Sequence, residues 1–291
     1  MDDANDIPRL PVNSEQHRFF SWEVKYTKSH ILSSQCTKDG KCNPGMTGEE
    51  EMCLFCMYNH KLDLPHLPDM VFPCNILTLS HNSGCSIVFN ALDSLERVSN
   101  GKMVVQIACS ESWRESRSEK GHADTVVKPF DWTFSTDYQG TLVGDWKVES
   151  TNLKIDVNKL KQKDKILFYN DLTLFEDELH DNGTAILSVK IRVMPGSFFI
   201  LLRYFLRVDN VLIKINDTRL YHEFDKNYII KEYTSRESKI SELKVPPMLF
   251  LDPNEICRHL PIMKEVNQIM ILPEAGTGEK KEVQGTAQSQ S

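Results

Sequence analysis

An α+β fold, one domain dominated by antiparallel β-sheet with a few helices, is what this sequence predicts, and three observations carry the prediction. Across residues 172–233, apolar and polar side chains alternate in runs separated by turn residues, as half-buried strands joined by hairpins require. Helical patterning is confined to a few short stretches. No Gly/Ser linker and no internal repeat divides the 291 residues, a length ample for one large core. Many strands with few helices define the α+β class.

The clearest strand is 187–193. Leu187, Val189, Ile191 and Val193 fall on one side, and Ser188, Lys190 and Arg192 on the other. Before it, 172–186 reads as a strand, a turn at Asp181-Asn182-Gly183 and a return. After it, Pro195-Gly196 turns the chain into the strand 198–208. Asp209-Asn210 then predicts a two-residue hairpin turn into 211–222. That turn sets Val208 against Val211, Leu206 against Ile213 and Tyr204 against Ile215 on an apolar face. Arg207 with Leu212, Phe205 with Lys214, and Arg203 with Asn216 fall on the other. Lys190, Arg192, Arg203, Arg207 and Lys214 then form a basic strip, which by default is a solvated face whose cations discourage aggregation. Asp217 and Arg219 fall on the apolar face, where charges are paired, exposed at a sheet end or kept for function. Helices are expected at 156–165 with an Asp cap, at 254–260 between Pro253 and Pro261, and at 263–270.

Residues 1–16 read as a flexible tail, 17–272 as the domain and 273–291 as a disordered tail without aromatic residues. The net charge of -7 makes nucleic acid a poor partner. The first residues lack the apolar region of a secretory signal. The longest apolar run, Phe198 to Leu202, is broken by Arg203 and Arg207, so no membrane span is expected. A soluble, cytoplasmic, monomeric protein follows as the expectation, with its eight cysteines as reduced thiols and the sequons at Asn182 and Asn216 as chance matches.

The segment 33–63 reads as a surface insertion, punctuated by Asp39-Gly40 and Asn43-Pro44-Gly45. It holds Cys36, Cys42, Cys53 and Cys56, with a CxxC knuckle at Cys53-Leu-Phe-Cys56 that suits tetrahedral zinc. A second knuckle is missing, and four surface thiols are the bland alternative. The acidic cluster Glu176, Asp177, Glu178, His180 and Asp181 alternates sides on a strand, so its groups do not converge on a metal or an acid/base site. Trp113 and Trp132 read as core or rim aromatics. No GxSxG, P-loop, GxGxxG or HExxH motif occurs, which leaves no motif from which to argue catalysis.

Long stretches then match a known family. VKPFDWTFSTDYQGTL at 127–142, LFEDELHDNG at 174–183 and SVKIRVMPGSFFILLRYFLRVDNVLIKINDTRLYHE at 188–223 closely resemble the TOR signalling pathway regulator-like (TIPRL) family. KEYTSRESKISEL at 231–243 and PNEICRHLP at 253–261 extend the likeness, which covers about 20–272. The resemblance implies a non-catalytic regulator in TOR signalling and phosphatase biogenesis. Its partners would be the catalytic subunits of type 2A protein phosphatases and their type 4 and type 6 relatives. It implies an antiparallel α+β domain with a cleft for the phosphatase's C-terminal tail. Carried onto this chain, the contact positions are Asp93, Arg192, Arg203, Asn216, Asp217, Arg219, Tyr221, Tyr233 and Arg236. Arg forks and Tyr hydroxyls beside an apolar slot suit a peptide carboxylate. A purely structural Asp–Arg pair at a strand end is the competing reading of Asp217 and Arg219. The cysteine-rich segment departs from the family pattern, which leaves a metal-dependent enzyme or a zinc-binding adaptor as the alternative function.

Overall fold

Two antiparallel sheets packed face to face build the protein. The computed structural model describes residues 13–38, 42, 52–62, 64, 66–98, 133–179 and 181–273. Residues 1–12 of the expected tail 1–16 and 274–291 of the expected tail 273–291, with Trp113, Trp132, His180 and the turns at 39–40 and 43–45, lie outside them. Chain order runs β1 (Asn13–Phe19), β2 (Trp22–Lys28), α1 (Leu54–Lys61), β3 (Met70–Val71), β4 (Ile76–His81), β5 (Ser86–Phe89) and α2 (Ala91–Glu96). It continues with β6 (Thr141–Val143), β7 (Lys147–Ser150), α3 (Val157–Lys161), β8 (Phe168–Asp177), β9 (Gly183–Met194) and β10 (Ser197–Val208). Then follow β11 (Leu212–Glu223), β12 (Tyr228–Lys239), two 3-10 turns (Ile240–Glu242 and Pro247–Leu251), α4 (Pro253–Ile256) and β13 (Ile262–Ile271). The smaller sheet has the order β1-β2-β4-β5-β6, and the larger β3-β8-β9-β10-β11-β12-β13-β7. The expected antiparallel α+β class is thus observed.

The main core lies between the sheets. The smaller sheet contributes Trp22, Val24, Leu77, Leu79, Ile87 and Phe89. The larger contributes the predicted row Leu187, Val189, Ile191 and Val193, with Phe198, Ile200, Leu202, Tyr204 and Leu206 from β10. Each such aliphatic side chain contributes roughly 1.5–3 kcal/mol relative to exposure. At the start of β9, Gly183 has φ 151°, and a Cβ there would lie 1.9 Å from the Arg207 carbonyl oxygen. Only glycine lets β9 approach β10 at that point.

The β10–β11 hairpin departs from the expected register by one residue. Its loop has three residues, not two: Val208 pairs with Leu212, and the Val211 N–H donates to the Val208 carbonyl at 3.0 Å. Asn210, at φ 61°, holds the third position of the turn 208–211, where a left-handed residue favours Gly or Asn. A one-residue slip sends every β11 side chain to the opposite face. Arg203 therefore faces Asp217, Phe205 faces Ile215 and Arg207 faces Ile213, while Lys214 lies beside Leu206 on the face toward the main core. Asp217 and Arg219 join Arg203 on the outer face, and Lys214 leaves the basic strip and pairs with Glu237 at 3.0 Å.

Three further expectations are corrected. Residues 263–270 form β13, not a helix; their apolar spacing at Ile262, Val266 and Ile269 fits a helix, but the free edge of β12 takes them as a strand. Strand β1 starts at Asn13, inside the expected tail, and pairs along its whole length with β2. The segment 33–63 is not merely a surface insertion, because α1 buries Tyr58 and Leu62 follows it into the main core. Helix α3 is shorter than expected but keeps its cap, with Asp156 Oδ1 accepting from the Asn158 N–H at 2.8 Å.

Trp22 sits between His81 (ring centroids 4.9 Å apart) and His222 (5.3 Å). His222 is buried, and one ring nitrogen, Nδ1, meets the Tyr228 carbonyl at 2.9 Å. Burial holds both imidazoles below their ordinary value of 6.5. The folded state then keeps these rings neutral, while the unfolded chain takes up protons first as pH falls through 6.5. Their contribution is fully present above that value and is lost progressively below it. Urea midpoints measured between roughly pH 5 and 8 should fall on the acid side, and His222→Phe should flatten that slope. A slope unchanged in the variant would show that His222 is not its source.

Candidate functional site

The outer face of the larger sheet carries a charged floor between two short helices. β9 presents Lys190 and Arg192, β10 presents Leu201 and Arg203, β11 presents Asp217, Arg219 and Tyr221, and β12 presents Glu232, Thr234 and Arg236. At one end α3 and the loop before it close over the strands. Arg192 Nη2 donates to the Leu160 carbonyl at 2.9 Å, the Ile155 N–H donates to Glu232 Oε1 at 2.7 Å, and Lys159 pairs with Glu223. At the other end α4 covers a small second core of Phe205, Ile213, Ile215, Ile256, Cys257 and Leu260. Both rims expose apolar side chains, Leu153 and Val157 on one and Met248 and Leu251 on the other.

The centre of this floor is an Arg–Asp–Arg set. Arg203 forks onto Asp217, with Nε to Oδ1 and Nη2 to Oδ2 both at 2.7 Å. Arg203 Nη1 donates to Asn254 Oδ1 at 2.8 Å. Asn254 is held there because Asp252 caps α4 and Pro253 opens it. Asp217 is 1% exposed. Burial works against the charge of Arg203, but the hydrogen bonds and charge of Asp217 outweigh it and move the guanidinium's pKa up. Arg219 Nη2 reaches the same Asp217 Oδ2 at only 3.4 Å, and its side chain is 36% exposed. Both Asp217 oxygens already take short bonds from Arg203, so Arg219 is held loosely and leaves donors facing the floor. The set carries one net positive charge.

The predicted residues divide between two faces. Arg192, Arg203, Asp217, Arg219, Tyr221 and Arg236 share the outer floor. Tyr221 is buried, which raises its pKa, and its hydroxyl donates to Glu223 Oε1 at 3.3 Å. Arg236 Nη1 donates to the Leu260 carbonyl at 2.9 Å and anchors the chain after α4. Asn216 and Tyr233 lie on the opposite face. Asn216 Nδ2 donates to the Thr136 carbonyl at 3.0 Å, fastening the segment that precedes β6. Tyr233 is buried, and that burial, with the Asp137 charge, pushes its pKa to about 12. Asp93 is remote from the floor, in the first turn of α2, where it accepts from the Thr141 hydroxyl. Among its described residues the acidic cluster does not converge: Asp177 turns inward to accept from the backbone of Leu179 at 2.7 Å and Asp69 at 3.0 Å, and burial raises its pKa.

Sequence reasoning missed Asn254 and Glu232. The Asp252-Pro253-Asn254 helix opening was the signal for the first; nothing local marked the second. Among the described residues, no helix is long and apolar enough to cross a membrane.

Comparison with known proteins fits this architecture. The TIP41-like family matches over residues 70–244, which includes strands β3 to β12 and begins after the four clustered cysteines. The TIP41-like protein of Homo sapiens is 49% identical over 260 residues, 88% of this chain and 89% of the relative. The Type 2A phosphatase activator TIP41 of Saccharomyces cerevisiae is 36% identical over 291 aligned positions, 91% of this chain and 75% of the relative. The Type 2A phosphatase activator tip41 of Schizosaccharomyces pombe is 31% identical over 178 residues, 60% of this chain and 71% of the relative. With the family matched over more than half its length and relatives covering most of it, the chain belongs to the TIP41-like family, the family of the TIPRL resemblance.

Proposed function

We propose that this protein is a non-catalytic regulator of type 2A-family protein phosphatases that binds the catalytic subunit and lodges its C-terminal tail on the floor between α3 and α4. The observation that carries the reading is the Arg–Asp–Arg set. Arg203 saturates Asp217, which leaves the half-exposed Arg219 as a planar donor without a close acceptor in its own ion pair. A peptide carboxylate accepts such a fork in bidentate fashion. The exposed apolar rims at Leu153, Val157, Met248 and Leu251 suit the side chains that precede it. The names of the two yeast relatives supply the phosphatase class. Action on the type 4 and type 6 enzymes, a place in TOR signalling and a cytoplasmic location belong to the same proposal.

The test is titration of the protein into the type 2A catalytic subunit, intact and lacking its last residues. Truncation is expected to weaken binding at least tenfold, about 1.4 kcal/mol. Equal affinity for both forms would remove the tail from the floor, and no binding to either would overturn the phosphatase reading.

A further inference from the structure

We propose a structural zinc site formed by the thiolates of Cys36, Cys42, Cys53 and Cys56. The four sulfurs lie within 4.8 Å of one another, although the residues are spread over 21 positions of sequence and only Cys53 and Cys56 belong to the start of α1. Cys36 Sγ lies 3.7 Å from Cys42 Sγ and 3.9 Å from Cys53 Sγ. A tetrahedron with Zn–S bonds near 2.3 Å has sulfur–sulfur edges of about 3.8 Å. Both of these separations match that edge. Disulfides are the competing chemistry, but they would draw the sulfurs into two pairs about 2.05 Å apart, and this arrangement is a four-way convergence.

The surroundings suit thiolates. The Cys53 N–H donates to Cys42 Sγ at 3.3 Å, a backbone donor supplied by the knuckle itself. Such donors delocalise the negative charge of a metal–thiolate shell and fix its ligands. Cys53 is also the N-cap of α1 and makes no side-chain cap bond there, so its sulfur is not committed to the helix. The knuckle Cys53–Cys56 is set by the first turn of α1, whose register is fixed in turn by Tyr58 in the main core. Four cysteine ligands close the coordination sphere and leave no position for water or substrate, which makes the site structural, not catalytic.

The role assigned to the metal is to tie the stretch around Cys36 and Cys42 to α1. Each ligating thiol gives up its proton, so uptake of Zn²⁺ releases protons and strengthens as pH rises.

The experiment uses the full-length protein purified under reducing, chelator-free conditions. Metal analysis should find about one Zn²⁺ per chain. Cobalt added to the metal-free protein should give a thiolate-to-cobalt charge-transfer band and the intense visible bands of tetrahedral Co²⁺, both abolished by one equivalent of Zn²⁺. Cys53→Ser should lose the charge-transfer intensity and the bound zinc, whereas Cys74→Ser, outside the cluster, should keep both. If Cys53→Ser does not fold, the wild-type cobalt titration still decides. Failure to take up Zn²⁺ or Co²⁺, weak octahedral spectra, or retention of zinc in Cys53→Ser would each overturn the site. Phosphatase binding is not part of this readout, so its outcome is independent of the function proposed above.

Discussion

Replacing Asp217 by alanine is expected to cost about 3–5 kcal/mol of folding stability, a large share of the 5–15 kcal/mol typical of a domain. The carboxylate is 1% exposed and the Arg203 side chain 11%. Removing Asp217 leaves a buried guanidinium with Asn254 as its remaining hydrogen-bond acceptor. Neither the apolar neighbours Phe205 and Ile215 nor the Cys257 thiol can replace the lost charge. The pair itself need not be strongly favourable, because desolvating both ions offsets most of their attraction. The double variant Arg203→Met/Asp217→Leu should therefore recover most of the loss. Urea unfolding of the single and double variants measures both quantities. A loss below about 1 kcal/mol in Asp217→Ala would mean the pair is solvated and contributes only as a surface ion pair does.

The same pair explains what could be read in the sequence and what could not. The alternation of Leu187, Val189, Ile191 and Val193 was legible because one sheet face is fully buried and nothing disturbs the period of two. The β10–β11 hairpin was legible as a hairpin but not in register. Asp209-Asn210 suits a two-residue loop, and the third loop residue, Val211, has no turn chemistry to announce it. The pairing of Arg203 with Asp217 is what distinguishes the two registers, and it is a long-range contact. In the expected register Asp217 would sit on an apolar face without Arg203, with Arg219 as its neighbouring cation, a poorer arrangement for a buried ion. Residues 263–270 misled for a related reason: their spacing fits a helix, and only the open edge of β12 makes them a strand. The candidate site was legible as a set of Arg and Asp positions through the family likeness. Its division into an outer floor and an inner group of Asn216 and Tyr233 was not, because that division depends on the register.

Arg219→Ala is expected to weaken binding of the phosphatase catalytic subunit by about 2 kcal/mol or more, roughly thirtyfold, while leaving the fold intact. The contrast with Asp217 follows from position. Arg219 is 36% exposed and holds Asp217 only at 3.4 Å, so its loss leaves the Arg203 fork in place. Far-UV circular dichroism and the urea midpoint should stay close to those of the unmodified protein. Arg219→Lys should fail to restore affinity, because an ammonium is a point donor and cannot present the planar pair of N–H groups that a carboxylate accepts. The loss should appear mainly in the dissociation rate, since the contact forms after encounter in a partly desolvated cleft. Lys190→Ala, by contrast, removes a half-exposed charge already paired with Asp171 at 2.9 Å and should alter only the association rate and its salt dependence. The deciding comparison is the effect of Arg219→Ala on the intact and the tail-truncated catalytic subunit. Loss of affinity confined to the intact subunit places the tail carboxylate at Arg219. An equal loss for both forms would mean that Arg219 contacts the body of the phosphatase, and no loss for either would leave the floor without a role in binding.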